Sequence, residues 1–74
     1  MERYGNLSGD SGVVRYEIRP GEIVVAFAKD GKYRYTNASA GARHITNMQR
    51  LARAGRGLST YISREKPNYA ERWD

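Results

Sequence analysis

His44 is the only histidine in the chain and the one side chain suited to acid–base work near neutral pH. A general base needs a partner that orients it or relays its proton. No acidic residue occurs between Gly31 and Arg64, so a carboxylate could reach His44 only through the fold, from Glu22, Asp30 or Glu65. His44 also falls at the edge of an apolar helical stripe, where a half-packed boundary histidine is the simpler expectation. The serines Ser8, Ser11, Ser39, Ser59 and Ser63 sit in no nucleophile motif, and turn, cap and strand roles account for them. One histidine without cysteine makes a metal site improbable. Gly5, Gly9 and Gly12 lack the strand-then-helix frame of a dinucleotide-binding loop. The chain is therefore expected to be non-enzymatic and to use no cofactor.

The basic residues carry a different chemistry. Net charge is +5, and it is unevenly placed. Residues 1–30 hold slightly more acid than base, as do residues 65–74. The span from Gly31 to Arg64 holds Lys32, Arg34, Arg43, Arg50, Arg53, Arg56 and Arg64 with no carboxylate. One part of the molecule is thus a source of positive potential, suited to an anionic partner or, more plainly, to solubility. Tyr33 and Tyr35 interleave with Lys32 and Arg34, a pattern that stacks bases while neutralising phosphates. The same alternation also describes an aromatic core with Phe27, Tyr16 and Ile45, leaving Lys32 and Arg34 on the other face. Arg56, between two glycines, could fork onto a phosphate from a turn.

These residues need a scaffold, and local patterns predict one. Residues 1–11, rich in Gly, Ser, Asn and Asp, read as a flexible N-terminal arm. Val14, Tyr16 and Ile18 alternate with Arg15, Glu17 and Arg19, which predicts a half-buried strand. Pro20-Gly21 suits a type II turn. Glu22–Ala28 is apolar on both faces, which argues for a central strand covered on both sides or in contact with a partner. Asp30-Gly31 predicts a type I′ hairpin into the strand Lys32–Thr36. A helix then runs to Ala54, capped by Asn37 or Ser39 and closed by Gly55 in the left-handed conformation. Its apolar stripe contains Ile45, Met48, Leu51 and Ala52, and Arg43, Thr46, Arg50 and Arg53 lie opposite. Alternation of Leu58, Thr60 and Ile62 predicts a fourth strand, and residues 65–74 read as a polar tail on which Tyr69 or Trp73 could dock.

The expected fold is α+β, a three-stranded antiparallel meander followed by one helix and a fourth strand, β-β-β-α-β, with the helix on one sheet face. A right-handed crossover gives the strand order 3-2-1-4, the alternative being that the fourth strand pairs with the third or with another subunit. Seventy-four residues allow one domain, with a globular core over residues 12–64. The lack of cysteine fits a reducing cytoplasm. The longest apolar run, Ile23 to Ala28, is far short of the roughly 18 residues that span a bilayer, and Met1-Glu2-Arg3-Tyr4 has no signal-peptide pattern.

An ordered set of features extends from Gly12 to Arg64: the strand with Tyr16, Val25-Ala26-Phe27 leading into Asp30-Gly31, Tyr33-Arg34-Tyr35, the helix, and Gly55-Arg56-Gly57 before Ile62. In this set the chain resembles the KTSC domain, a small module found at the C-terminus of some lysyl-tRNA synthetases and as stand-alone bacterial and phage proteins. The alanine-rich helix departs from that pattern in lacking an aromatic near its middle. The resemblance implies a module of unestablished function for which RNA binding has been suggested. Together with the charge, it makes RNA or single-stranded DNA the expected partner, with Lys32, Tyr33, Arg34, Tyr35, Arg43, Arg50, Arg53 and Arg56 as candidate contacts. The alternative expectation is a protein-interaction or homo-oligomeric module. No membrane association is expected.

Overall fold

Pro20-Gly21 reverses the chain in two residues, with Gly21 at φ +71°, and the sheet grows outward from this turn. A computed structural model describes residues 1–7 and 12–73. Strands β1 (Glu2–Arg3), β2 (Val13–Arg19), β3 (Glu22–Phe27), β4 (Gly31–Thr36) and β5 (Glu71–Trp73) form one antiparallel sheet in the order β1-β2-β3-β4-β5. The central meander has the expected strand order, with Ile18, Ile23 and Tyr35 paired across it and Tyr16, Val25 and Tyr33 beside them. A register shift between Val13 and Arg15 buries Val13 and leaves Val14 exposed, against the expected alternation. The β3–β4 connection departs from expectation. Ala28, Lys29 and Asp30 separate the paired residues Phe27 and Gly31, and Gly31 alone has positive φ, whereas a type I′ turn needs it at both central positions.

Helices α1 (Asn37–Ala40), α2 (Ala42–Ala54) and α3 (Leu58–Glu65) lie on one sheet face. The single predicted helix is interrupted at Gly41, whose φ of +97° and ψ of 142° are not helical. Its cap is Thr36, neither of the expected Asn37 and Ser39. The Thr36 hydroxyl accepts from the Ser39 N–H while the Ser39 hydroxyl accepts from the Thr36 N–H, a reciprocal capping box. Gly55 closes α2 in the left-handed conformation, as expected.

Residues 58–65 correct the sequence reading, because they form α3 rather than a fourth strand. Leu58, Tyr61 and Ile62 satisfy the i, i+3, i+4 spacing of a helical face as well as Leu58, Thr60 and Ile62 satisfy alternation. The tertiary environment favours the helix, since Leu58 is fully buried and Tyr61 and Ile62 pack against the core. The crossover and the order 3-2-1-4 therefore do not occur. The sheet takes its outer strands from the ends of the chain instead.

Both ends add strands to the sheet, where the sequence predicts a flexible arm and a polar tail. Glu2 and Arg3 pair with Tyr16 and Arg15, and the Tyr4 side chain is buried in the core with its hydroxyl accepting from the Leu58 N–H at 3.2 Å. Residues 8–11 of the predicted arm lie outside the described residues. At the other end, Glu71–Trp73 pairs with Lys32–Arg34, Pro67 is buried, and the Ala70 N–H donates to the Arg34 carbonyl. The resulting core joins Tyr4, Val13, Ile23, Val25 and Tyr35 to Ile45, Met48, Ala52 and Leu58 from the helices.

The α2–α3 corner is held by close backbone contact. A Cβ on Gly55 would lie 3.3 Å from the Gly5 Cα, and the Leu7 N–H donates to the Gly55 carbonyl at 2.7 Å. Gly55 also holds φ +77°, which an L side chain adopts at a cost of about 1–2 kcal/mol. Gly55→Ala should therefore lower stability by at least about 1–2 kcal/mol, with each 1 kcal/mol shifting Tm by about 4–8 °C in a domain of this size. Thermal unfolding followed by circular dichroism checks this.

Candidate nucleic-acid interface

The eight residues singled out from the sequence fall into three places. Arg43, Arg50 and Arg53 are exposed on α2, and Arg56 is exposed in the Gly55-Arg56-Gly57 turn that follows. Ile45, Met48 and Ala52 are the buried side of α2, so the arginines occupy the opposite, solvent side. Arg43 and Arg50 are two turns apart, about 10 Å along the axis. The rotation of α2 is fixed by Gln49, whose side-chain amide donates to the Arg19 and Glu22 carbonyls at 3.1 and 3.0 Å on either side of the Pro20-Gly21 turn. Among the described residues, no carboxylate forms an ion pair with any of these four arginines.

Lys32 and Arg34 lie elsewhere, on the sheet face without helices. Arg34 Nε donates to Glu71 at 2.5 Å and Arg34 Nη1 to Glu22 at 3.3 Å, so its guanidinium is engaged between two carboxylates. Lys32 Nζ lies 5.8 Å from the centre of the Trp73 ring, a cation–π contact. Glu17 pairs with Arg19 on the same sheet. This face is an interleaved set of both signs rather than a basic surface.

Tyr33 and Tyr35 point to the helical side. Tyr35 is 3% exposed and belongs to the core, which leaves no open ring face for a base. Tyr33 packs edge-to-face with Phe27 and Tyr69, at centroid distances of 5.5 and 5.0 Å. Its hydroxyl donates to Asp30 at 2.8 Å and accepts from Arg72 Nε at 2.9 Å, while Arg72 Nη2 donates to Asp30 at 3.2 Å. The hydrogen bonds from Tyr33 and then Arg72 hold the Asp30 carboxyl below its ordinary range, and the bond to Asp30 raises the Tyr33 phenol. The structure thus brings the α2 and turn arginines together and separates them from the β4 residues.

His44 has a partner that sequence reading did not find. Its Nδ1 lies 2.6 Å from the Tyr61 hydroxyl, to which Asn47 also donates at 3.3 Å, in a cleft between α2 and α3 that Arg43 and Glu65 flank. A strand over residues 58–62 turns Tyr61 away from the face of Leu58, Thr60 and Ile62, and only the helix brings it to His44. No carboxylate is hydrogen-bonded to His44 among the described residues, and the pair ties the two helices together. Nor does any group of three His, Asp or Glu among the described residues stand close enough to hold a metal ion. No described helix is long and apolar enough to cross a membrane. No family model, curated protein or solved structure matches the chain.

Burial raises the Tyr35 phenol to about 12, with smaller contributions from Tyr33, Tyr69 and Asp30. A folded-state value above the unfolded value of about 10 means that the native state binds the proton more tightly. The associated stability is fully present below pH of about 10 and is lost as pH rises through about 12. Stability measured by urea unfolding across that alkaline range should decline in wild type, and Tyr35→Phe should flatten the decline.

Proposed function

We propose that this chain is a non-enzymatic, KTSC-like module of the cytoplasm that binds RNA or single-stranded DNA through the phosphate backbone. The observation that carries the reading is the solvent side of α2 and its following turn, where Arg43, Arg50, Arg53 and Arg56 stand exposed without an acidic partner among the described residues. Cations arranged this way release condensed counterions when they meet phosphates, and the affinity gained is sequence-tolerant. Guanidinium groups suit the task because their planar fork matches phosphate oxygens. Arg64 on α3 adds to the same helical layer, against the single carboxylate Glu65.

The alternative, a homodimer or protein-interaction module, was motivated by a central strand apolar on both faces. Val24 and Ala26 on the helix-free face are only 6% and 8% exposed within the single chain. Long side chains such as Arg34 and Trp73, which border the same shallow area as Val24, accompany this burial. That strand no longer calls for a partner, and the arginine face is left as the favoured surface.

Binding to a short single-stranded RNA should weaken steeply with salt, each phosphate contact contributing about 0.7 to the slope of log affinity against log salt. The triple variant Arg43→Gln, Arg50→Gln, Arg53→Gln should lower that slope by about 2, and Lys32→Gln by less than the roughly 0.7 of a single contact. Fluorescence anisotropy over a salt series measures both. No binding to either polymer at low salt, or an unchanged slope in the triple variant, would overturn the reading.

A further inference from the structure

A second concentration of recognition chemistry lies apart from the α2 arginines. Phe27, Tyr33 and Tyr35 from the sheet, Ile62 from α3 and Pro67 and Tyr69 from the α3–β5 connection line an open cleft of about 700 Å³. This is within the roughly 300–1,000 Å³ of small-ligand sites. Tyr69 is 50% exposed, and its ring stands at 79° to Tyr33, which braces it from one side. A half-exposed tyrosine ring supported by a second aromatic is a platform for a planar guest.

The polar part of the lining selects among planar guests. Asp30 accepts from Tyr33 and Arg72, and a carboxylate with about four lone-pair sites keeps acceptor capacity for ring or exocyclic N–H donors. Asn68 adds an amide, which both donates and accepts, and Lys66 adds a cation. A quaternary or methylated ammonium, the usual guest of an aromatic cage, fits poorly. It would face Lys66 in the cleft and Arg72 behind Tyr33, while Asp30, the only carboxylate of the lining among the described residues, already shares its charge with Arg72. A heteroaromatic ring carrying a phosphate fits all three elements: aromatic wall, acceptor edge and cation.

The geometry points to this cleft as a pocket for one unpaired nucleobase, stacked on Tyr69, read at its edge by Asp30 and Asn68, with its phosphate toward Lys66. This deepens the nucleic-acid reading and rests on it for the biological source of the base, but it uses none of the α2 arginines. The nucleotide can come free or within a strand, and a comparison of mononucleotide with tetranucleotide distinguishes the two.

The test is a chemical-shift titration of the whole chain with adenosine monophosphate, ribose 5-phosphate and tetramethylammonium, followed by single- and double-stranded RNA. Adenosine monophosphate should move the resonances of Tyr69, Asn68 and Ile62, and ribose 5-phosphate should not. Much tighter binding of a tetranucleotide at the same resonances assigns the base to a strand, and equal affinity assigns it to a free nucleotide. Tyr69→Ala should weaken single-stranded RNA about tenfold, leave duplex RNA unchanged, and be rescued by Tyr69→Trp. Should Tyr69→Ala fail to fold, the wild-type titrations and Tyr69→Trp still decide. Silence toward adenosine monophosphate, equal response to ribose 5-phosphate, or shifts from tetramethylammonium alone would overturn the pocket. Nucleotide shifts in the cleft together with an unchanged salt slope in the arginine triple variant would instead sink the α2 surface and keep the pocket.

Discussion

A five-stranded sheet has two faces, and the described residues supply helices for only one of them. That constraint organises the rest of the molecule. The inner face carries the aromatic and branched side chains, Tyr16, Ile23, Val25, Tyr33 and Tyr35, which must be covered by α2, α3 and the buried Tyr4. The outer face has no such cover. Its central strand keeps the small or branched residues Val24 and Ala26, while Glu22, Arg34, Glu71 and Trp73 stand around them. Ion pairs open to solvent, such as Arg19–Glu17, each stabilise by no more than about 1 kcal/mol, and Arg34–Glu22 is only partly screened. What they contribute is a neutral, hydrated surface over an otherwise apolar strand. Acidic residues drawn to that face are absent from α1, α2 and the turn after them, and the positive field of the chain is therefore carried by the helical side.

The parts of this design that were legible in the sequence are those with a repeating or punctuated local signal. Alternation of Tyr16 and Ile18, the Pro20-Gly21 turn and the strand Lys32–Thr36 predict the order of the meander, whereas its β3–β4 register follows from a three-residue connection that the Asp30-Gly31 signal does not foretell. The stripe of Ile45, Met48 and Ala52 predicts both the buried side of α2 and, by subtraction, the arginine side. Residues 58–65 illustrate the opposite case. The segment fits two periods, Leu58, Tyr61 and Ile62 a helical face and Leu58, Thr60 and Ile62 a strand face, and the decision belongs to the core that Leu58 enters, not to the segment itself. The edge strands β1 and β5 have two and three residues, too few to show any period, so they exist only as pairings with β2 and β4. The site was half legible for the same reason. A helix face can be read from spacing, whereas the His44–Tyr61 pair and the Tyr33–Tyr69 contact join segments 17 and 36 residues apart, which spacing does not encode.

The two surfaces singled out here differ in kind. Arg43, Arg50, Arg53 and Arg56 offer charge on a helix and a turn, in contact with water and tolerant of where a phosphate lands. The cleft at Tyr33 and Tyr69 offers shape, an aromatic wall and a short polar edge held by the Asp30–Tyr33–Arg72 hydrogen bonds. On the proposed reading the first supplies attraction and speed of encounter, and the second distinguishes stacked from unpaired bases. Arg72 links β5 to this cleft, because the strand that covers the β4 edge also brings the guanidinium that orders Asp30.

Gln49 gives the charged side of α2 a fixed heading. Ile45, Met48 and Ala52 hold α2 against the sheet by apolar packing, which has no direction of its own, and the Gln49 amide adds a directional contact. The two carbonyls beside the Pro20-Gly21 turn grip the Gln49 amide from fixed positions, and Arg50 follows it by one residue, about 100° around the axis. A small rotation of the helix would swing the arginine row through the same angle without changing any charge. The tightest turn of the sheet is thereby a steering element. It sets the compass bearing of the electric field that the neighbouring arginines generate, so the heading of that field depends on a turn that carries no cation itself.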